Sequence, residues 1–405
     1  MGFHHGLSGL NAASKSLDVS GHNIANSNTI GFKKSRAEFN EMVASAMGSG
    51  QCPGSAGAGI GVSVAAVTQQ FSQGVITPTA NGLDMAINGD GFFVVNTPSG
   101  TAYTRNGAFQ LDKNGFLVTA NGDKVQGWAD ANATGTQPVD LQFPTGAGIP
   151  GRQTTGLSIQ AANLPATAPD ATSVTPNTPR HTYGTSLQVY DSQGVAIPVE
   201  VYFVKNGSNT WDVYDTLDPA VTTPVGQVTF DGEGKFVSST VTGLNVDPSA
   251  ANPNNPPAPF NVTLDLSGMT QNDRKWSVDK MTQDGYASGE LTGVNVSKDG
   301  TLMASYSNGL TRPEGKVALA RFTNPQGLAP NGNNNWVQTN DSGPVLYGSA
   351  GSGSFGQIKG CALEESNVDL TAELVGMMTA QRSYQANAQT IKTQDQVFST
   401  LVNLR

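Results

Sequence analysis

The sequence is poor in charged residues and has no long apolar run. Only 13% of its 405 residues are Asp, Glu, Lys or Arg, against about 25% in an average soluble protein. Its 31 acidic residues outnumber its 22 basic ones, which gives a formal net charge of −9. This balance argues against nucleic acid as a partner, because phosphate binding needs clustered cations. Since no stretch of about 18 apolar residues occurs, we expect no membrane-spanning helix.

Cysteine and secretory signals are also scarce. The two cysteines, Cys52 and Cys361, are too few for a disulfide framework. The first residues contain neither a basic region nor an apolar core of the kind found in signal peptides. We therefore expect no cleaved secretory signal.

The spacings that mark metal and catalytic sites are missing as well. Four histidines are present, but none belongs to a His-x-x-Glu-His pattern, and no Cys-x-x-Cys occurs. No Gly-x-Ser-x-Gly elbow lies between a strand and a helix. We assign the adjacent Glu364 and Glu365 to the start of a C-terminal helix, where the helix dipole favours negative charge. We expect no metal, no cofactor and no enzymatic activity.

Glycine and proline are abundant instead, at 48 and 22 residues. Apolar and alternating runs such as Phe92–Val95 and Val199–Val204 predict strands. Turn signals rich in Asp and Gly, such as residues 191–194, separate these runs and predict tight connections. Two Pro-rich stretches, 165–179 and 247–259, are interpreted as linkers or surface loops. The middle of the chain is therefore predicted to contain one β domain inserted into another.

Both ends of the chain have a helical period instead. From Leu370 apolar residues recur at steps of four and three, which predicts one long amphipathic helix, capped by Asp369 or Asn367, with a coiled-coil seam. The first thirty residues show the same stepping more weakly and are rich in small residues, which permit close approach to another helix. This first helix either docks on its own domain or pairs with the C-terminal helix and with neighbouring chains. The expected seam residues are Leu7, Leu10, Leu17 and Ile24 in the first helix and Leu370, Leu374, Met377, Tyr384, Ile391, Phe398 and Val402 in the second.

The predicted fold class is a mainly β body with long N- and C-terminal α-helices that form a coiled-coil-like inner domain. The body has two β-rich domains, one inserted in the other. The predicted regions are a terminal helical domain (1–30 with 365–405), a connecting region (31–80 with 355–364), an inner β domain (81–149 with 283–354) and an inserted outer β domain (150–282).

Motifs at both ends resemble those of the bacterial flagellar rod and hook axial proteins. The N-terminal motif residues are Asn23, Ile24, Ala25 and Asn26, followed by Gly31, Phe32 and Lys33. The C-terminal motifs are 366–370, 381–385 and 390–396, and further similar stretches are 82–87, 103–107 and 189–194. The resemblance covers nearly the whole chain, and its paired terminal motifs are highly specific.

This resemblance implies a structural protein whose terminal helices are a polymerisation domain. The extra β domain at 150–282 favours a hook subunit over the shorter distal rod proteins, which remain the alternative within the family. A hook subunit forms a curved, tubular, flexible coupling, a universal joint that transmits motor torque from rod to filament. Outside the family, a secreted β-rich adhesin or hydrolase is the alternative.

The resemblance also implies partners and a location. The partners are other copies of the chain, the distal rod, hook cap and hook-filament junction proteins, and the flagellar type III export apparatus. The location is the extracellular flagellum, in the hook and basal body, reached without a cleaved signal peptide.

The cysteines depart from the family pattern. A Gly/Ser-rich stretch around Cys52 is longer than in typical hook proteins, which commonly lack cysteine. Both cysteines lie near the junction of the terminal helices with the body. A Cys52–Cys361 disulfide is compatible with this placement outside the cell, and free thiols are the default expectation.

Overall fold

The computed structural model describes residues 2–43, 59–130, 137–143, 148–171, 180–218, 220–251, 253 and 256–403. The chain divides into two compact units. Unit 1 comprises Met1–Phe143, Gly293–Ala304 and Thr311–Arg405, and unit 2 comprises Pro144–Thr292 and Ser305–Leu310. The predicted four-region organisation is finer than this division and stays a prediction.

Two long helices lie at the ends of the chain, α1 (Gly2–Ala25) and α2 (Leu370–Asn403). Asp369 is the N-cap of α2, because its carboxylate accepts hydrogen bonds from the backbone N–H groups of Thr371 at 2.9 Å and Ala372 at 3.1 Å. Glu373 lies in the first turn. At 34 residues, α2 is about 50 Å long.

Short strands make up most of the remainder. The first ten are β1 (Ser35–Val43), β2 (Gly59–Gln69), β3 (Ile76–Pro78), β4 (Met85–Asn88), β5 (Phe92–Thr97), β6 (Gly100–Thr104), β7 (Phe109–Leu111), β8 (Leu117–Thr119), β9 (Lys124–Trp128) and β10 (Val139–Asp140). The next ten are β11 (Gly156–Pro165), β12 (Gly184–Tyr190), β13 (Ala196–Lys205), β14 (Thr210–Tyr214), β15 (Gly226–Phe230), β16 (Phe236–Ser239), β17 (Leu244–Val246), β18 (Phe260–Asp265), β19 (Met269–Asn272) and β20 (Ser277–Gln283). The last eight are β21 (Leu291–Val296), β22 (Thr301–Tyr306), β23 (Thr311–Arg321), β24 (Ala329–Pro330), β25 (Asn335–Val337), β26 (Leu346–Ser349), β27 (Gln357–Gly360) and β28 (Ala362–Glu364).

The largest sheet has the strand order β21-β22-β23-β9-β5-β6-β25-β24. Both faces of β5 are covered, so Phe92–Val95 is a continuous buried run, as its apolar sequence predicts. Aromatic rings pack edge-to-face beside it, with Phe92 and Trp336 centroids 5.7 Å apart. Strands β27 and β28, which precede α2, pair with β4 and β3 from the first part of the chain.

Unit 2 is built from two five-stranded sheets. One has the order β17-β18-β11-β19 with β20 paired to β11, and the other has the order β12-β13-β14-β15-β16. Apolar residues of both sheets form one core, in which Trp211 and Phe203 are fully buried. Both Pro-rich stretches belong to this unit and connect its strands, although residues 172–179, 252, 254 and 255 lie outside the described part.

The predicted turns are confirmed where Asp precedes Gly. At 191–194, between β12 and β13, the Asp191 carboxylate accepts hydrogen bonds from the backbone N–H groups of Gln193 and Val195, both at 2.8 Å. Gly194 has a φ of +79°, which a residue with a side chain rarely adopts. The sequence therefore fixes this hairpin locally.

The antiparallel pair of β1 and β2 was not predicted. Phe39 lies opposite Val64 in this pair. Closely spaced valines in β2, among them Val62 and Val64, are the signal that was available, because β-branched residues favour strands. The Gly/Ser-rich stretch that separates the two strands, with Cys52, lies outside the described residues. Cys361 is exposed. Because its candidate partner Cys52 lies outside the described residues, the expectation of free thiols and the alternative Cys52–Cys361 disulfide both stay untested.

Candidate assembly site: the terminal helices and their junction with the body

The helices α1 and α2 pack together in opposite directions. A Cβ atom placed on Gly6 would lie 2.9 Å from Ile391 Cγ1, and one placed on Gly9 would lie 2.8 Å from the Asn387 side chain. These distances leave little room for a larger side chain, so the glycines let the two backbones approach closely. The predicted pairing of the two ends is confirmed, and small residues make the contact.

The buried face of α1 is offset by one residue from the predicted seam. Its most buried residues are Gly6, Ala13, Val19, Ser20 and Asn23. One residue corresponds to a rotation of about 100° around a helix. The larger apolar side chains of α1 therefore lie mainly on the flank of the helix pair. The predicted seam residues Leu10, Leu17 and Ile24 are half-buried and Leu7 is exposed.

The predicted seam residues of α2 are mostly exposed in the single chain. Met377 and Ile391 are half-buried, whereas Leu370, Leu374, Tyr384 and Phe398 are exposed; the side chain of Val402, near the end of α2, lies outside the description. Additional exposed apolar residues on the two helices are Phe3, Val375, Met378 and Val397. We call all exposed large apolar residues of α1 and α2 the apolar helix surface. Such a concentration indicates an interaction site.

A groove beside the helix pair adds to this surface. Its volume is about 460 Å³, and small residues of both helices line it together with two residues of the β1–β2 pair. The lining includes Ala12, Gly376 and Ala380 from the helices and Phe39 and Val62 from the strands. The groove is large enough for apolar side chains of a neighbouring molecule.

A buried charged group lies where the two helices meet the β body. Lys33 Nζ is 2.6 Å from Glu364 Oε1, and Arg105 Nη1 is 3.1 Å from Glu364 Oε2. The side chains of Lys33 and Glu364 are fully buried and that of Arg105 is 5% exposed. We call these three residues the junction cluster. Burial lowers the pKa of Lys33; Glu364 acts in the opposite direction, and Arg105 lowers this pKa further.

Backbone groups add further hydrogen bonds to the junction cluster, although the buried Nε of Arg105 has no hydrogen-bond partner among the described residues. Lys33 Nζ donates to the carbonyl oxygen of Ser72 at 2.7 Å, and the N–H of Gly74 donates to Glu364 Oε1 at 2.9 Å. Arg105 Nη2 donates to the carbonyl oxygen of Gly89 at 3.0 Å. The assignment of Glu364 to the helix start was therefore wrong. Glu364 ends strand β28 and forms ion pairs with two cations. Asp369 caps α2 instead, and Glu373 lies in its first turn.

Both ends of the chain match families of flagellar proteins, and so does the body. Residues 3–33 match the family described as flagella basal body rod protein, and residues 360–404 match flagellar basal body rod FlgEFG protein C-terminal. Residues 86–174 match the flagellar hook protein FlgE/F/G D1 domain, and residues 163–286 match the flagellar basal body protein FlaE D2 domain.

Full-length relatives have one name in common. The flagellar hook protein FlgE of Escherichia coli K12 is 43% identical over 420 residues, covering 100% of both chains. FlgE of Rhizobium meliloti is 35% identical over 99% of this chain and 98% of its own, and FlgE of Borreliella burgdorferi is 32% identical over 99% of both. The chain belongs to the flagellar hook protein family. The distal rod alternative is less supported.

A solved member of the hook protein family has a similar fold. The crystal structure of Helicobacter pylori flagellar hook protein FlgE2 superimposes with a TM-score of 0.51 at 16% identity. It covers 70% of this chain and 99% of the solved chain. At this identity the likeness concerns the fold alone.

The N-terminal motif of the hook family has identifiable contacts in this chain. Asn23 is buried, and its side-chain amide exchanges two hydrogen bonds with the backbone of Ser35, at 2.8 and 2.9 Å. Ile24 is half-buried in the last turn of α1, and Ala25 is its final residue. Asn26 Nδ2 donates to the carbonyl oxygen of His22 at 2.9 Å. These contacts end α1 and direct the chain into β1.

The second part of the motif forms the connection itself. Gly31 has a φ of +68°, and its N–H donates to the carbonyl oxygen of Glu364 at 2.8 Å. Phe32 is buried and packs edge-on against the His22 ring. Lys33 enters the junction cluster. These three consecutive residues thus join the end of α1 to the strand that precedes α2.

No group of His, Cys, Asp and Glu side chains suited to a metal ion occurs among the described residues. In the same part of the chain, neither α1 nor α2 combines the length and the apolar character that a bilayer-spanning helix requires.

Proposed function

We propose that the chain is a hook subunit that polymerises through α1 and α2 into a curved tube. The observation that carries this proposal is the apolar helix surface, on which Leu374 and Phe398 are 40% and 55% exposed. About half of each of these side chains is already covered, so burying the remainder of one stabilises an assembly by about 1 kcal/mol. A second copy of the chain is the natural occupant, because the small-residue groove and the exposed apolar side chains lie on the same helix pair.

In such a tube the helices and the β units have different tasks. Packed helices form a stiff wall that carries torsional load. The outer contacts, made by the region 150–282, have to rearrange as the tube bends during rotation. Low charge and many small polar residues suit wet contacts with little preference for one register. We therefore assign the exchangeable contacts to Asn, Ser, Thr and Gly in the loops of unit 2.

This function requires no catalytic chemistry, and we propose that the chain is not an enzyme. Its partners are further copies, the distal rod at one end, the hook cap during growth and the hook-filament junction proteins afterwards. Export in unfolded form through the flagellar type III apparatus brings it to the extracellular hook without a cleaved signal peptide. Membership in the hook family supports this proposal of partners.

Electron microscopy of the purified full chain in a salting-out buffer, which strengthens apolar burial, tests the proposal. A chain trimmed to residues 27–369 is the comparison, since it loses both helices and keeps the junction cluster. A thermal melt confirms that the trimmed chain is folded. We expect curved tubes from the full chain and none from the trimmed chain.

Other outcomes separate the alternatives. Straight tubes from the full chain would favour a distal rod protein. Tubes from the trimmed chain would contradict assembly through the helices. Monomers from both chains, even with preformed hook fragments as seeds, would favour an adhesin or an enzyme.

A further inference from the structure

The junction cluster joins three distant parts of the sequence at one buried point. Lys33 is 331 residues from Glu364, and Arg105 is 259 residues from it. Lys33 lies eight residues after α1 ends, and Glu364 lies six residues before α2 begins. Both helices are therefore attached to the body within a few residues of the same carboxylate.

Backbone hydrogen bonds connect the same segments around the cluster. The N–H of Gly31 donates to the carbonyl oxygen of Glu364, and the N–H of Glu365 donates to that of Val75, each at 2.8 Å. The side chain of Asn367 accepts from the N–H of Lys34 at 2.8 Å and donates to the carbonyl oxygen of Gln70 at 2.7 Å. The segment that follows α1 and the segment that precedes α2, which we call the helix arms, are thus hydrogen-bonded to each other and to residues 70–75.

Arg105 connects this point to the interior of the body. One nitrogen, Nη1, contacts Glu364, and the other, Nη2, donates to the carbonyl oxygen of Gly89. The guanidinium carbon lies 5.3 Å from the centroid of the Phe92 ring, and Phe92 belongs to the core strand β5. Arg105 therefore connects Glu364 to the largest sheet.

Stability alone is a poor reason for a charged group at this position. Removing two cations and a carboxylate from water is costly, and well-packed apolar residues of similar volume are often as stable or more stable. A charged group with short, directional contacts instead favours one arrangement. Here an ammonium binds one carboxylate oxygen and a guanidinium binds the other, which fixes the plane of the carboxylate.

We propose that the junction cluster is a positioning latch that fixes α1 and α2 to one point of the β body in a single orientation. This inference rests on the proposed function, because it names the point through which torque passes between the helices and the body. Lys33, Arg105 and Glu364 act as positioning residues. Loss of the latch leaves helices that still polymerise but meet the body at variable angles.

The test uses three variants of the full chain. Glu364→Gln removes the shared carboxylate charge. Glu365→Gln is the matched control, because it removes the same charge from the adjacent, exposed residue. The triple variant Lys33→Met, Arg105→Met, Glu364→Met replaces the cluster by apolar side chains of similar length. Hydrogen exchange is measured in the monomer, and tube curvature is measured by electron microscopy.

We expect exchange in residues 31–36 and 361–369 to be at least about tenfold faster in Glu364→Gln than in Glu365→Gln, because two buried cations lose their counterion. Exchange in β5 and β6 stays unchanged. Tubes of Glu364→Gln have scattered curvature. The triple variant recovers the melting temperature and keeps the scattered curvature.

Unchanged exchange in Glu364→Gln would overturn the latch. Uniform curvature together with a restored melting temperature in the triple variant would also overturn it, and would reduce the cluster to a stabilising role. If Glu364→Gln does not fold, the triple variant becomes the test. Scattered curvature of its tubes would support the latch, and uniform curvature would overturn it. Failure of the unchanged chain to form tubes counts against the proposed function, and the exchange measurement still tests whether the cluster holds the arms.

Discussion

At the scale of the residue, Gly31 is the most constrained position in the connection between α1 and the body. Its φ of +68° lies in the left-handed region, and an added Cβ would lie 2.6 Å from the backbone nitrogen of Asn106. We expect Gly31→Ala to lower the free energy of unfolding by about 2–4 kcal/mol, from backbone strain and overpacking together. Chemical denaturation of the monomer measures this change.

Gly21→Ala is the matched control for this prediction. Gly21 lies inside α1, and an added Cβ meets no atom within 4 Å. Alanine is the better helix former by up to about 1 kcal/mol, so this variant is expected to be slightly more stable. Equal stability of Gly31→Ala and the unchanged chain would show that the conformation of Gly31 is unimportant.

Asp284 gives unit 2 a dependence on pH. Partial burial alone raises the pKa of its carboxyl group, but hydrogen bonds from the Thr155 hydroxyl and from the N–H groups of Thr155 and Gly156 outweigh burial and lower the pKa to about 2. The usual value is 3.8. The stability contributed by the ionised form is therefore complete above about pH 4 and is lost as the pH falls toward 2.

Asp284→Asn tests this dependence. Because the Asp284 side chain is 35% exposed, solvent screening reduces the contribution of its ionised carboxylate to the free energy of unfolding to about 1 kcal/mol. We expect the variant to be less stable than the unchanged chain at pH 7, with the difference shrinking between pH 4 and pH 2. Thermal melts across this range measure it. A difference that stays constant with pH would mean that the carboxylate charge has no part in the effect.

The role of Glu364 shows what sequence reasoning misses at this scale. The adjacent pair of glutamates resembles the acidic first turn of a helix, and that rule describes Asp369 and Glu373. The partners of Glu364 are hundreds of residues away, so no local pattern identifies them. No local pattern showed that Lys33 and Arg105 are buried, although both residues lie within motifs of the flagellar family.

At the scale of the element, local periodicity in the sequence was sufficient to predict both helices and many of the strands. The run from Leu370 predicts α2, and Val199–Val204 predicts β13, because each pattern is complete within one segment. The contact face of α1 was missed because its glycines carry no apolar signal. The β1–β2 pair was missed because a Gly/Ser-rich stretch separates its two strands in the sequence, so no local pattern shows that they pair.

The close packing of α1 on α2 makes a prediction at this scale. We expect Gly6→Leu to separate the two helices, because the new side chain meets Ile391, and to lower the free energy of unfolding by about 1–3 kcal/mol. Gly376→Leu is the control, since an added Cβ there meets no atom within 4 Å. Far-UV circular dichroism during denaturation measures both. Equal effects would contradict close packing at Gly6.

At the scale of the whole molecule, the chain combines well-packed β units with a helix pair whose apolar surface is left open. The β units have complete cores, with residues such as Phe93 and Trp211 fully buried. The described side chains of the helix pair form no comparable core, and several large apolar ones are exposed. We propose that polymerisation covers this surface, so that neighbouring copies complete the hook subunit.

The measurement that tests this most directly is the polymerised fraction of the double variant Leu374→Ser, Phe398→Ser. It is determined by sedimentation and electron microscopy in a salting-out buffer. The control is Gln385→Ser, Gln389→Ser, which changes two exposed polar residues of the same helix. We expect the apolar variant to melt like the control and to require at least about a tenfold higher concentration to form tubes, because burial of the exposed halves of the two side chains is worth about 2 kcal/mol in total. Tubes that form at the same concentration from both variants would contradict assembly through the apolar helix surface.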